Sequence, residues 1–253
     1  MKKIALITGA SSGIGYATAL KLSKSGFDLI LCGRRKEKLI QLQKDLNENS
    51  QSTILTFEVS DYKAVENAFN SLTAEWKNID LLVNNAGNAH GLGPIHEGSL
   101  EDWNNMMGSN VTGLLNVSKV VLPGMVERKK GHVVNISSIA GKMTYENGAV
   151  YCATKKSVES LSEGMRLDLT KYGIKVTNIA PGAVETEFSV VRFKGDEERA
   201  AKVYEGFDPL LAENIADAIH YCVMAPSNVT IADMTILAAA QASATTIYRN
   251  VNQ

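Results

Sequence analysis

Cysteine is scarce in this chain: Cys32, Cys152 and Cys222 are odd in number, far apart and without a CxxC spacing. That excludes a disulfide framework or a thiolate metal cluster, and a reduced cytosolic chain is expected. An excess of either charge is also missing, with 26 Lys and Arg against 27 Asp and Glu in 253 residues. The balance predicts no broad basic face for nucleic acid and no acidic tail, although a local anion site fits within it. Long apolar runs are absent as well. No segment approaches the roughly 18 residues of a membrane span. The opening Ile4-Ala5-Leu6-Ile7 stops at Thr8-Gly9, too short for a secretory signal. His90, His96, His132 and His220 show no ligand grouping, so no metal is expected. No Pro/Gly-rich linker, composition shift or internal repeat divides the chain. The expectation is one soluble, cytoplasmic domain.

What is present is a globular composition, 45% apolar and 21% charged, with enough apolar material for a sizeable core. Continuous β-rich apolar runs fall at residues 3–8, 28–32, 53–59, 81–84, 132–137, 175–179 and 234–237. Such runs mark strands covered on both faces. Helical patterns lie between them at 15–25, 36–47, 64–76, 100–128, 150–171 and 212–224. The alternation predicts an α/β fold, a Rossmann-type doubly wound parallel sheet of about seven strands flanked by helices. Two stretches depart from the beat: residues 86–99, rich in Gly, Asn and His, and residues 181–209, of mixed charge. Both follow strand ends, where ligands bind in open α/β sheets. They are expected to form the walls of a site and a substrate lid over residues 183–209.

The turn Thr8-Gly9-Ala10-Ser11-Ser12-Gly13-Ile14-Gly15 joins the first strand to the first helix. Its Gly-x3-Gly-x-Gly spacing differs from GxGxxG. Glycines there still permit a tight turn and close approach of backbone to a pyrophosphate at a helix N-terminus. The second strand ends in Gly33-Arg34-Arg35, where NAD-binding folds usually place an acid on the ribose hydroxyls. A carboxylate repels a 2′-phosphate and a guanidinium grips it, so NADP is the expected cofactor. Tyr151 and Lys155 stand four apart at a helix start, hence on one face. A nearby ammonium lowers a tyrosine's pKa from about 10. Ser138 follows the fifth apolar run and is positioned to meet the tyrosine at the sheet edge.

These elements, with Asn84-Asn85-Ala86-Gly87, Asn110 and Pro181-Gly182, resemble the short-chain dehydrogenase/reductase family in order and spacing, over most of the chain. The resemblance implies that Tyr151 exchanges a proton with the substrate oxygen while Ser138 hydrogen-bonds it. Lys155 would hold the nicotinamide ribose and lower the tyrosine's pKa, and Asn110 would support a water in the proton relay. The cofactor set it implies comprises Gly9, Ser11, Ser12, Gly13, Ile14, Gly15, Arg34, Arg35, Glu58 and Val59 from the first half of the fold. Asn85, Ala86, Gly87, Tyr151, Lys155, Pro181, Gly182, Val184 and Thr186 complete it. A homotetramer is a further family expectation.

The run Gly182–Ser189 continuing to Asp196, and the ending Val229-Thr230-Ile231-Ala232-Asp233, resemble the branch of NADP-dependent 3-hydroxy acid dehydrogenases that act on serine and allo-threonine. A 3-oxoacyl carrier-protein reductase or general carbonyl reductase is the alternative within the fold. Such carrier-protein reductases tend to have an arginine where Ser12 stands and a Val-Asp-Gly-Gly ending that is missing here. A non-catalytic dinucleotide sensor is the alternative from another class, and the intact Asn110, Ser138, Tyr151 and Lys155 argue against it. Arg192, the first cation of the lid, is the candidate for a substrate carboxylate, because a carboxylate leaving water needs a cation. The competing assignment is a surface arginine paired with Asp196 or Glu197.

Overall fold

A computed structural model describes residues 2–250 of the chain. From the N-terminus it runs β1 (Lys3–Thr8), α1 (Gly13–Lys24), β2 (Phe27–Gly33), α2 (Lys36–Asp45), β3 (Ser52–Thr56), α3 (Tyr62–Asn70) and β4 (Ile79–Asn84). Then come α4 (Leu100–Met107), α5 (Gly113–Arg128), β5 (Gly131–Ile136), α6 (Ile139–Lys142), α7 (Ala149–Leu169) and β6 (Ile174–Pro181). The chain closes with β7 (Val184–Glu185), α8 (Glu187–Arg192), α9 (Glu197–Lys202), β8 (Leu210–Leu211), α10 (Ala212–Met224) and β9 (Asp233–Ile236). Seven strands form one sheet in the order β3-β2-β1-β4-β5-β6-β9, every pair parallel. The expected doubly wound sheet is therefore present.

Strand pleating explains why the apolar runs are continuous. Ile4 and Leu6 of β1 pack with Ile30, Leu82, Val133 and Val176 in one core, against residues of α3, α5 and α7. The alternate residues Ala5 and Ile7 pack with Leu29, Leu31, Val83 and Val134 in a second core, against α1, α2 and α10. Successive side chains leave opposite faces, so a strand sandwiched between helix layers must be apolar at both parities. The chain leaves β1 towards β2 on one side and returns to β4 on the other. That reversal opens a crevice at the carboxyl ends of β1 and β4.

Several boundaries differ from the sequence expectation, and two of the differences bear on this crevice. The third run, expected to be strand through residue 59, stops at Thr56. Glu58 and Val59 therefore lie in the connection beyond the sheet edge. The expected helix 64–76 ends at Asn70, where Ser71 caps it and donates from Oγ to Ala68 O at 2.7 Å. The single helix expected over 100–128 is interrupted by a π-turn at Gly108–Thr112, a widening common at functional sites. It turns Asn110 inward, where it is buried. Residues 181–209 are more regular than expected. They carry α8, capped by Thr186 Oγ1 accepting from Phe188 N, and α9, capped by Asp196 accepting from Arg199 N. Cys152 packs in a small buried cluster with Tyr151 and Met106, in keeping with a packing role.

Candidate active site

The loops at the carboxyl edge surround a cavity of about 690 Å³. Its floor is the turn after β1. Gly9 and Gly13 hold φ values of +64° and +53°, which L side chains rarely adopt. A Cβ on Gly9 would also stand 2.9 Å from Asn85 Nδ2. Asn85 stitches this turn to the end of β4: its side chain donates to Thr8 O at 2.9 Å, and Thr8 Oγ1 accepts from Asn85 N and Ala86 N. Gly15 faces the other way. A Cβ there would meet Gly9 O at 2.4 Å, so Gly15 lets α1 approach the turn and does not line the cavity. At the start of α1, the Ser12 side chain makes no capping bond and no acid occupies the first turn. The first amides of α1 thus remain available to an anion.

One end of the cavity is cationic. Arg34 Nη1 donates to Glu58 Oε2 at 2.9 Å. Arg35 donates from Nη2 to Ser12 Oγ at 2.7 Å and to Ser11 Oγ at 3.1 Å. Its Nη1 reaches Glu187 of α8 at 2.8 Å, and Lys38 Nζ takes the other carboxylate oxygen at 2.5 Å. Hydrogen bonds from Lys38 and Arg35 hold the Glu187 carboxyl down to about 2, so it is ionised throughout the neutral range. Two guanidiniums with serine hydroxyls beside a bare helix start fit the phosphates of NADP. Ile14, Val59, Ala86, Gly87, Pro181, Gly182, Val184 and Thr186 also line the cavity.

That other end holds the polar group at which a proton can move. Tyr151 and Lys155 occupy one face of α7, and Ser138 starts α6, two residues beyond β5, with its Oγ accepting from Ala140 N at 3.1 Å. All three are buried and line the cavity. Burial pushes the Tyr151 phenol well above its ordinary pKa, while the Ser138 hydroxyl and the Arg192 guanidinium pull it back. Lys155 Nζ stands 6.0 Å from the Tyr151 ring centroid and donates to Ile136 O at 2.9 Å. Burial lowers the Lys155 pKa to about 8. The downward pull on the phenol expected from Lys155 is thus exerted here by Ser138 and Arg192.

Asn110 stands behind this group and does not line the cavity. Its carboxamide donates to Asn88 O and Thr154 Oγ1, each at 2.9 Å, and accepts from Asn88 N at 2.8 Å. Arg192 closes the front. It does not pair with Asp196 or Glu197. Its Nη2 donates to Tyr145 OH at 3.0 Å and its Nε to Gly91 O at 3.3 Å, with the guanidinium 5.5 Å from the Tyr151 ring centroid. Sequence reasoning missed Tyr145, Asn88 and Glu187. Tyr145 and Asn88 belong to irregular loops with no motif, and Glu187 meets Arg35 across 152 positions. The Asn85-Ala86-Gly87 motif was the available pointer to Asn88. Among the described residues no group of three or more His, Cys, Asp or Glu is placed to hold a metal, and no helix is long and apolar enough to cross a membrane.

A family profile described as short chain dehydrogenase matches residues 3–197. The NADP-dependent 3-hydroxy acid dehydrogenase YdfG of Salmonella typhi is 43% identical over 242 residues, covering 95% of this chain and 97% of that protein. The serine 3-dehydrogenase of Rhizobium radiobacter is 40% identical over 232 residues, 92% of each. A solved structure, the closed form of serine dehydrogenase complexed with NADP+, superposes with a TM-score of 0.91. It is 41% identical and covers 99% of both chains.

Proposed function

The chain belongs to the short chain dehydrogenase family, and from that premise we propose an NADP-dependent oxidoreductase acting on a CH–OH group. Its substrate is a small 3-hydroxy acid of the serine or allo-threonine type, or the matching 3-oxo compound. The observation that carries the substrate class is Arg192, whose guanidinium stands over the Tyr151 ring beside the Tyr145 hydroxyl. A substrate whose alcohol meets Tyr151 presents its carboxylate to these donors. The names of the relatives support the same class.

The glycine turn, the Arg34–Arg35 end and Lys155 would hold NADP(H), which would supply the hydride chemistry when bound. The chain's own residues handle the proton and the charge. Ser138 Oγ hydrogen-bonds the substrate oxygen, and the Tyr151 phenolate takes its proton during oxidation while the Tyr151 phenol returns it during reduction. Burial favours the protonated phenol that reduction uses, while Ser138 and Arg192 favour the phenolate that oxidation needs. Lys155, held by Ile136 O, orients the ribose and carries positive charge at neutral pH. Asn110 supports the relay from behind by fixing Asn88 and Thr154. Residues 183–209 serve as the lid, with Arg192 as its substrate-facing cation. Desolvation of that region strengthens each of these electrostatic contacts.

The finer setting follows the family. We assign the protein to the cytoplasm, where three free, buried cysteines suit a reducing milieu, and to a homotetramer. The discriminating experiment compares turnover of NADP-linked reduction on an acyl carrier thioester with oxidation of a free 3-hydroxy acid. Preference for the free acid supports the reading. Preference for the thioester replaces it with a carrier-protein reductase.

A further inference from the structure

Each arginine at the end of β2 is held by a carboxylate, and the two carboxylates differ in origin. Glu58, on Arg34, belongs to the connection leaving the sheet edge. Glu187, on Arg35 and Lys38, arrives from the other half of the chain as the first residue of α8. Thr186, just before it, packs on the phosphate turn, where a Gly13 Cβ would meet Thr186 Cγ2 at 3.2 Å. At its far end the same segment is fastened to the substrate wall: Arg192 O accepts from Gly91 N at 2.9 Å, and Lys194 pairs with Asp102 at 2.9 Å. The segment therefore spans from the cations of the cofactor site to the cation of the substrate site.

We propose that Glu187 is a specificity-determining residue that tunes cofactor preference by competing with the NADP 2′-phosphate for Arg35 and Lys38. The inference rests on the NADP reading above. Each nitrogen of the Arg35 fork has a partner, Nη1 on Glu187 and Nε and Nη2 on the serine hydroxyls. A phosphate gripping the Nη1–Nη2 edge bidentately competes with Glu187 for Nη1. The carboxylate can yield, because the three side chains are 44–47% exposed and such surface pairs are weak. A phosphate monoester carries about −1.5 to −2 charges near neutral pH, so it outbids a single carboxylate. Thr186 and the turn keep Glu187 nearby after displacement, and its negative charge then opposes the phosphate. NAD, with a free 2′-hydroxyl, leaves the carboxylate where it is. Glu187 thus restrains NADP affinity without touching NAD affinity, and it links phosphate binding to release of one end of the lid.

The test is Glu187→Gln, read as dissociation constants of NADP+ and NAD+ by titration calorimetry on the full-length protein at fixed ionic strength. Removing the charge should tighten NADP+ by about three- to tenfold and leave NAD+ within twofold. Made in a Lys38→Met background, the same substitution should tighten NADP+ by less, because only Arg35 is then freed. A gain undiminished in the Lys38→Met background, equal shifts for both cofactors, or an NADP+ constant that is unchanged or weaker in Glu187→Gln overturns the role of Glu187. Equal affinity of the unaltered protein for both cofactors overturns the NADP reading itself, a separable outcome.

Discussion

Arg192→Ala removes one side chain from the front of the site and should divide substrates by charge. The guanidinium donates to Tyr145 OH at 3.0 Å and stands 5.5 Å from the centre of the Tyr151 ring. A charge-assisted hydrogen bond from it to a substrate carboxylate contributes roughly 1.5–3 kcal/mol. Its loss should lower kcat/KM on a 3-hydroxy acid by about 10- to 100-fold. The methyl ester of the same acid has no charge to neutralise and should lose little. The pH profile should move as well. Arg192 pulls the Tyr151 phenol down, so without it the phenol titrates higher, and oxidation, which needs the phenolate, reaches half its plateau at higher pH. Initial rates of NADPH formation on acid and ester across the alkaline range supply both readouts. Equal losses on acid and ester with an unmoved profile would refute the reasoning and leave Arg192 as a brace for the Gly91 loop.

Further expectations follow from the same geometry. Tyr151→Phe keeps the ring and should cost about 100-fold or more in kcat, with NADP+ affinity by calorimetry changed little; near-normal turnover rejects Tyr151 as the proton carrier. Arg34→Ala and Arg35→Ala should each erode the NADP-over-NAD preference by about 10- to 100-fold, chiefly by weakening NADP(H); an unchanged ratio of dissociation constants removes that arginine from the phosphate site. His132 is buried on β5 with Nε2 2.8 Å from Thr177 Oγ1 and no partner for Nδ1. Burial, then Lys175, lowers its folded pKa from 6.5 to about 4. The folded state therefore binds fewer protons than the unfolded one in that window. Stability should fall as pH drops from 6.5 towards 4, by up to about 3 kcal/mol. Urea midpoints for wild type and His132→Gln test this: the variant should show a flatter acid limb, and identical limbs would contradict it.

The parts of this structure legible in the sequence are those governed by local pattern. A run such as Ile4-Ala5-Leu6-Ile7 must serve two cores at once, and continuous apolarity records that demand. The glycine turn, Ser138, Tyr151 and Lys155 were legible because a strand-to-helix turn and an i, i+4 pair encode their geometry within a few residues. The π-turn at Gly108–Thr112 was not, because the widening that buries Asn110 is fixed by its bonds to Asn88 and Thr154. Short helices α8 and α9 were hidden in a charged stretch whose order depends on capping and on contacts with Gly91 and Arg35. Tyr145 and Glu187 join the site only after the sheet places distant loops side by side. Arg192 was recognisable as the first cation of its segment, but its bonds to Tyr145 and Gly91 were not, because those partners lie in distant loops.

The central claim, hydride transfer between NADP and a 3-hydroxy acid, is tested most directly by absorbance at the NADPH band. Purified protein is supplied with serine, allo-threonine and related 3-hydroxy acids, or with neutral alcohols of the same carbon skeleton, and with either NADP+ or NAD+. The account predicts NADPH formation on the hydroxy acids, with kcat/KM for NADP+ exceeding that for NAD+ by about tenfold or more and with the neutral alcohols poor. Nucleotide binding with no turnover on any acid, or equal turnover with both cofactors and with the neutral alcohols, would contradict it.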